Sequence, residues 1–327
     1  MRRVCGSACL LLLLARLSFR GLAQDGVQPA TKPMFKVDSP FVWVPVSFEN
    51  PDGNAIRDAE ISGIQLWDNG LRQKLLPVRT DDLPVSLVIL MQTGGSARRF
   101  LSSYADLPSL IGNLVGDSVH EITLITFDSR IEEVWHFPNR SDGVNYALTH
   151  QEAGDQGAAI KDAVAFGVRQ LQAEPGRFRR IVLLLSENTD RGSSTASQSL
   201  LEQLGSASTI VYSLRFPNRT EDANRFRDHA RSSKSTPASE LSKWLGALDR
   251  STAEGAASLT GGCSFQFNDQ RSFNSGLLAI AEHFRDAFTF GFQPVPDAPG
   301  FHALKVEVLS PRFRITARKA YWSTLAK

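Results

Sequence analysis

The sequence has almost no excess of charge of either sign. Its 36 Lys and Arg residues nearly balance 34 Asp and Glu residues, and the formal net charge is only +2. Proteins that bind nucleic acid through their overall field are markedly basic, so the composition argues against a nucleic-acid partner. Long apolar runs are missing as well, because Arg16 and Arg20 interrupt the N-terminal apolar stretch well short of the roughly 20 residues that span a bilayer.

Cysteine is also scarce, with three residues in the chain. Cys5 and Cys9 lie within residues 1–23, where Arg2 and Arg3 at the start, a short apolar stretch and Gly21-Leu22-Ala23 are typical of a cleaved signal peptide. We therefore expect an exported protein, periplasmic or extracellular, with no transmembrane segment after signal removal. Cys263 would then be alone and unable to form an internal disulfide, and we interpret it as a small buried hydrophobe.

The remaining chain divides into a β-rich start, an alternating middle and a β-rich end. Residues 24–40 are predicted to be a flexible leader and 41–80 an N-terminal β module, with Pro45 indicating an edge strand. Strands and helices alternate over 82–288, including helices predicted at Arg98–Leu114 and Glu240–Leu259, with a surface insertion at 217–236. Residues 289–327 are predicted to pair with the N-terminal module. The fold class predicted is α/β, a doubly wound and mostly parallel sheet with a small β module.

One strand and the loop after it are the most informative segment. Leu87–Met91 is an apolar strand that continues directly into Gln92-Thr93-Gly94-Gly95-Ser96. This arrangement resembles the von Willebrand factor type A (VWA) domain, whose first strand ends in D-x-S-x-S. Further segments in matching order resemble the VWA-related family of secreted bacterial proteins, namely Trp67-Asp68-Asn69-Gly70, Ile125–Asp128, Gly157–Ala163, Leu185–Asp190 and Phe288–Phe292.

The resemblance implies a metal-ion-dependent adhesion site at the carboxyl ends of the strands. In that family an Asp and two Ser from the first loop, a Thr from the second and an Asp from the third hold a divalent cation. The corresponding positions here are Gln92, Gly94, Ser96, Ala158 and Glu187. One hydroxyl and one carboxylate are too few for Mg²⁺ or Ca²⁺, which require several oxygen ligands, so we expect no metal and no cofactor.

The leading hypothesis is a non-enzymatic module that binds an unidentified protein partner. Contact would be made by loops containing Gln92, Thr93, Gly94, Gly95, Ser96, Ala158, Glu187 and Asn188, with Arg98 and Arg99 available to an acidic group. Three alternatives remain open: metal-dependent adhesion through Ser96 and Glu187, hydrolysis by Ser96, and phosphate binding at Thr93–Ser96. The second lacks a G-x-S-x-G elbow and the third lacks the glycine and lysine signatures of nucleotide loops.

Overall fold

The computed structural model describes residues 41–50, 56, 63–78, 83–116, 118–138, 142–173, 179–217, 236–294, 299–308 and 314–324. The predicted signal peptide, the predicted leader and almost all of the predicted insertion lie outside these residues. No helix within the described ranges is long and apolar enough to cross a membrane.

The described residues form strands and helices with the following bounds. The strands are β1 (Val42–Glu49), β2 (Ile64–Asp68), β3 (Leu71–Gln73), β4 (Leu76–Val78), β5 (Val85–Gln92), β6 (His120–Phe127), β7 (Ile131–Pro138), β8 (Arg179–Ser186), β9 (Thr209–Arg215), β10 (Ser264–Gln266), β11 (Phe288–Phe292), β12 (Gly300–Val308), β13 (Arg314–Ala317) and β14 (Ala320–Ser323). The α-helices are α1 (Leu107–Val115), α2 (Asp142–Thr149), α3 (Ile160–Ala173), α4 (Ser197–Ser206), α5 (Pro237–Arg250), α6 (Thr252–Thr260) and α7 (Gln270–Asp286). Two 3₁₀ segments, Gly95–Arg99 and Leu101–Asp106, precede α1.

A six-stranded sheet lies at the centre in the order β10-β9-β8-β5-β6-β7. Its strands are parallel except β7, which is antiparallel to β6. All eight residues of β5 are buried, since helices cover both faces of the sheet. Leu87 and Ile89 face a core with α1, α2 and α7, while Val88 and Leu90 face a core with α3 to α6. The predicted doubly wound α/β class is confirmed.

Strand β5 is the point from which the chain winds in two directions. It pairs with β6 on one side and with β8 on the other. In open α/β sheets such a reversal leaves a crevice outside the carboxyl ends of the two strands. The loops after β5, β6 and β8 therefore meet at one edge of the sheet, which is where the sequence placed its candidate site.

Two antiparallel four-stranded sheets are built from both ends of the described chain. Their orders are β13-β1-β11-β4 and β14-β12-β2-β3. Val44, Phe48, Leu66, Phe292 and Tyr321 share a third core, which joins the N-terminal strands to the C-terminal ones.

Strand β1 is an inner strand, because it lies between β13 and β11. The prediction that Pro45 marks an edge strand was therefore wrong. Pro45 is paired with Thr289 of β11, and the ladder with β13 begins one residue later at Val46. The missing amide hydrogen of Pro45 thus costs no hydrogen bond to β13.

Both of the long predicted helices are interrupted. The segment 98–114 is 3₁₀ up to Asp106, and α1 begins only at Leu107 with a proline in its first turn. The segment 240–259 is two helices separated by Ser251, whose φ and ψ are −142° and 65°. Helix α5 starts earlier than predicted, because Thr236 and Ser239 form a capping box.

Candidate functional site

Gln92 ties the first loop to the third. Its side chain is fully buried, its amide Nε2 donates to the carbonyl of Gly94 at 3.1 Å, and its Oε1 accepts the backbone N–H of Glu187 at 2.9 Å. An aspartate at this position would have no N–H to donate to Gly94. The residue that replaces the expected metal ligand is therefore a neutral connector between two loops.

Glu187 is also fully buried, and its carboxylate already has partners. Arg191 approaches Glu187 Oε2 with its Nη2 at 2.8 Å, and the backbone N–H of Ser96 donates to Oε1 at 3.0 Å. A buried carboxylate needs both a cation and hydrogen bonds to offset its desolvation. Arg191 supplies that positive charge from within the chain.

The backbone holds Arg191 in position. Ala158 and Arg191 exchange two backbone hydrogen bonds, at 3.1 Å and 2.8 Å, and form an isolated antiparallel bridge. Ala158 is fully buried, so that its methyl group packs in the core beneath this bridge. The position expected to carry a threonine ligand thus contributes backbone hydrogen bonds that position the guanidinium.

The loop of residues 154–157 packs directly on the first loop. A Cβ atom at Gly94 would come within 2.7 Å of Asp128 Cβ and within 2.8 Å of the carbonyl oxygens of Asp155 and Gly157. Gly154 and Gly157 pack as closely against Asp128 and Ser129. Gly94 is therefore required by close packing, and a serine side chain has no room at this position.

Asp128 and Asp155 hold this loop in place. Asp128 accepts the backbone N–H of Asp155 at 2.9 Å, and Asp155 accepts the Ser129 hydroxyl at 2.5 Å and the backbone N–H of Gly157 at 2.6 Å. The bond from the Ser129 side chain, followed by that from the Gly157 backbone, lowers the pKa of Asp155. Both carboxylates act here as acceptors for the loop.

The third loop is fastened to the start of α3. Asp162 accepts the backbone N–H groups of Ser194 and Thr195 at 2.9 Å and 2.7 Å, and Asp190 accepts that of Lys161 at 2.9 Å. Asn188 is directed away from the loop edge, because its Oδ1 accepts the N–H of Glu254 in the first turn of α6. Asn188, one of the predicted partner-binding residues, therefore caps the first turn of α6 with its side chain.

The surviving residues do not fit a divalent cation. Gly94 and Ala158 have no side-chain oxygen. The side-chain oxygen of Gln92 accepts the backbone N–H of Glu187, and the Glu187 carboxylate is neutralised by Arg191. Among the described residues there is no group of three His, Cys, Asp or Glu side chains that could hold a metal ion. Mg²⁺ would have to displace an internal guanidinium to gain a single carboxylate.

The geometry of the loops gives little support to hydrolysis by Ser96 or to phosphate binding at Thr93–Ser96. Within the described part of the chain the Ser96 hydroxyl makes no hydrogen bond to a histidine, and His283 and His302 contact Tyr212 and Asp68 instead. His229 lies outside the described residues. The amides that would cradle a phosphate are occupied, because Thr93 donates to Phe127, and Gly95 donates to Asp155.

The exposed surface of this edge comes from residues next to the predicted set. Arg98 is exposed and donates to the carbonyl of Gly154 at 2.6 Å, and Arg99 donates to the carbonyl of Pro217 at 3.3 Å. Arg191 is 42% exposed although its guanidinium contacts Glu187. We call Arg98, Arg99 and Arg191 the arginine rim.

Sequence reasoning missed Arg191, Asp128 and Asp155. The four-residue spacing of Glu187 and Arg191 was a weak signal for an ion pair, although these residues lie in a loop. The run Gly154-Asp155-Gln156-Gly157 is typical of a turn, but no local pattern shows that it packs on Gly94.

Comparisons with known proteins show weak structural likeness only. No protein-family model matches the sequence, and no curated protein matches it. Solved structures that resemble it include a von Willebrand factor type A protein from Catenulispora acidiphila, at 9% identity over 88% of this chain and 74% of that one, with a TM-score of 0.44. An aerotolerance-related membrane protein from Bacteroides fragilis gives 15% identity over 62% of this chain and 98% of that one, with a TM-score of 0.42. The pilus adhesin SpaC from Lactobacillus rhamnosus GG gives 13% identity over 72% of this chain and 35% of that one, with a TM-score of 0.42.

Proposed function

We propose that this chain is an exported, non-enzymatic interaction module of the VWA type that binds a protein partner without a bridging metal ion. The observation that carries the proposal is the buried Glu187 carboxylate, which is neutralised by Arg191 at 2.8 Å. In the metal-dependent relatives that the sequence resembles, a cation at this edge receives the partner's carboxylate. In this chain the positive charge at that edge belongs to a side chain, the guanidinium of Arg191.

The arginine rim suits an acidic group on the partner. Arginine presents a planar fork of donors that pairs with a carboxylate in bidentate geometry. Arg98 and Arg99 are the last two residues of the 3₁₀ segment Gly95–Arg99, and the guanidinium of Arg191 lies beside Gly95 at its start. The buried residues Gln92, Ala158 and Glu187 would then support the rim, and the exposed arginines would make the contact.

Metal titration is the first test of this proposal. Calorimetry with Mg²⁺ and Mn²⁺ on the purified chain should show no saturable binding, and Ca²⁺ should behave in the same way. Saturable uptake of any of the three would contradict the proposal, because it would show that the remaining oxygens suffice.

Partner capture is the second test. Bait carrying the chain, incubated with periplasmic or surface extract, should retain the same partner with and without EDTA. Arg98→Glu should reduce the retained amount several-fold, because it reverses a charge on the rim. Arg314→Glu, on an exposed residue of β13, is the matched control and should retain as much as the wild type. Loss of the partner with EDTA, or equal retention by both variants, would count against metal-free recognition by the rim.

A further inference from the structure

A second polar site lies at the opposite end of the central sheet from the loops. A cavity of about 40 Å³ is formed where β8 and β9 begin, against β1, β11 and the end of α7. A single buried water needs roughly 10–15 Å³ of cavity volume, so this cavity has room for a group of a few heavy atoms. Ser208 at its border is exposed, and the cavity therefore communicates with solvent.

The charge of the cavity lining is of one sign. Arg179, Arg180 and Arg318 line it, and no aspartate or glutamate is among the lining residues. Arg179 donates to the carbonyl of Phe284 at 2.8 Å and lies 3.7 Å from the centre of that ring, while Arg180 donates to the carbonyl of Leu171 at 2.7 Å. These contacts fix the guanidinium groups at the base of β8.

Arg318 is the most constrained of the three arginines. It is 3% exposed, and it donates through Nη2 to the carbonyls of Leu204, Gly205 and Ala207 and through Nε to that of Ala320. Its contacts among the described residues include no carboxylate. Burial lowers its pKa to about 10, so it is still charged at neutral pH. A full positive charge is thus held at the cavity by carbonyl dipoles alone.

Thr209 supplies an independent sign of a ligand. Thr209 is among the residues that line the cavity, and its buried hydroxyl has no hydrogen-bond partner within the described residues. Buried hydroxyls in native structures almost always have a partner, because leaving one unpaired costs free energy. An anionic group that accepts a hydrogen bond in the cavity would satisfy Thr209 and would bring negative charge to a lining that contains three arginines and no acidic residue.

We propose that this cavity binds one small oxyanion of the phosphate or sulfate class. Three guanidinium groups provide the charge, the Thr209 hydroxyl provides a directed donor, and the volume admits a group of this size. The site is separate from the proposed partner-binding loops and does not depend on them.

Thermal unfolding of the purified full chain tests the site. The probes are sodium phosphate, sodium sulfate and sodium acetate, each titrated at constant ionic strength maintained with sodium chloride. A ligand that binds only the folded state raises the Tm in a saturable way. We expect phosphate or sulfate to do so, and acetate distinguishes a preference for planar carboxylates from one for tetrahedral anions.

Two variants locate the site. Thr209→Val removes only the unpartnered hydroxyl and should preserve the fold, while weakening anion binding about tenfold. Arg180→Gln removes one positive charge and should weaken it at least as much. Ser213→Ala is the matched control, because Ser213 also lies in β9 with a buried hydroxyl that lacks a partner among the described residues, yet it does not line the cavity.

The outcomes separate clearly. Saturable stabilisation by phosphate or sulfate that is weakened in T209V and R180Q but unchanged in S213A supports the proposal. It is overturned if none of the three anions acts beyond the chloride reference, if acetate alone acts, or if T209V and R180Q bind as tightly as the wild type.

Discussion

Single residues decide what the loop edge does, and Arg191 is the most important of them. Among the five compared positions Glu187 has the one carboxylate and Ser96 the one hydroxyl, yet the Glu187 carboxylate contacts Arg191 and accepts the backbone N–H of Ser96. A carboxylate counted as a surviving ligand in the sequence is thus already used in the structure. Counting donors in the sequence predicts too few ligands for a metal ion, but it does not predict the ion pair of Glu187 with Arg191, whose backbone is held by Ala158 of the second loop.

Removing the cation from this pair should destabilise the protein. In Arg191→Gln the Glu187 carboxylate remains fully buried without the guanidinium that neutralises it, and we expect a loss on the order of 2 kcal/mol in the free energy of unfolding. This expected loss is smaller than that for a wholly buried ion pair, because the Arg191 side chain is 42% exposed. Urea denaturation measures it.

The double variant is the control for that measurement. Glu187→Gln together with Arg191→Gln removes both charges and should recover part of the loss, giving a coupling energy in a double-mutant cycle. Additive losses in the two single variants would show that the ion pair contributes nothing.

His283 makes stability depend on pH. Burial lowers its pKa from 6.5 to about 4, against an opposing contribution from Asp286. Between these values the unfolded chain binds a proton that the folded chain does not, so stability is lost as the pH falls from 6.5 towards 4. Over this whole pH range, a pKa shift of this size lowers the free energy of unfolding by about 3 kcal/mol.

His283→Gln should therefore flatten the pH profile of unfolding free energy between pH 4 and 6.5. Carboxylates also titrate in this range, so the contribution of His283 is taken from the difference between the variant and the wild type. His136→Gln, at an exposed histidine of β7, should give a profile parallel to the wild type. Equal slopes in all three proteins would refute the assignment to His283.

At the level of elements, the first loop and residues 154–157 form one interlocked unit. Three glycines, Gly94, Gly154 and Gly157, permit approaches that any Cβ atom would block. The sequence pattern alone indicates a VWA-like loop that lacks a serine at Gly94. Local pattern predicted the strand and the loop correctly because alternation and turn residues are local signals. It did not predict which distant loop fills the space.

A serine at Gly94, as in the D-x-S-x-S pattern, should destabilise the protein. Gly94→Ser places a side chain within 2.8 Å of two carbonyl oxygens, and we expect a loss of about 2 kcal/mol or more in unfolding free energy. Gly112→Ser is the matched control, because nothing lies within 4 Å of its Cβ position in α1 and serine has the higher helix propensity. Similar stability of the two variants in urea denaturation would show that the loops do not interlock.

The same limits of local reasoning explain the interrupted helices. Residues 98–114 and 240–259 each carry apolar residues at helical spacing, which predicts one helix apiece. The break before α6 is accompanied by tertiary contacts, since the side chain of Asn188 accepts the N–H of Glu254 and its carbonyl accepts that of Ala253. These bonds fix the start of α6 from outside the segment, and no periodicity within it reports them.

For the whole molecule, the C-terminal strands are part of the α/β core. Ala320 and Trp322 of β14 pack against the helices of one face, and a Cβ at Gly205 of α4 would meet Trp322 at 2.8 Å. Arg318 bonds the last carbonyls of α4, and Lys319 donates its backbone N–H to Leu259 in α6. The division at residues 288 and 289 that the sequence indicated therefore separates segments that share one hydrophobic core.

A fragment of residues 83–288 should consequently fail to fold as a stable unit. Without residues 289–327 it loses the hydrogen bonds from Arg318 to the α4 carbonyls and exposes the apolar surface that Trp322 covers, which removes hydrophobic stabilisation. We expect a fragment of residues 41–324 to show one cooperative transition in circular dichroism and the fragment of residues 83–288 to show none. Two resolved transitions for the longer fragment, or a cooperative transition of the shorter one at the same Tm, would mean that the central sheet folds independently of the strands around it.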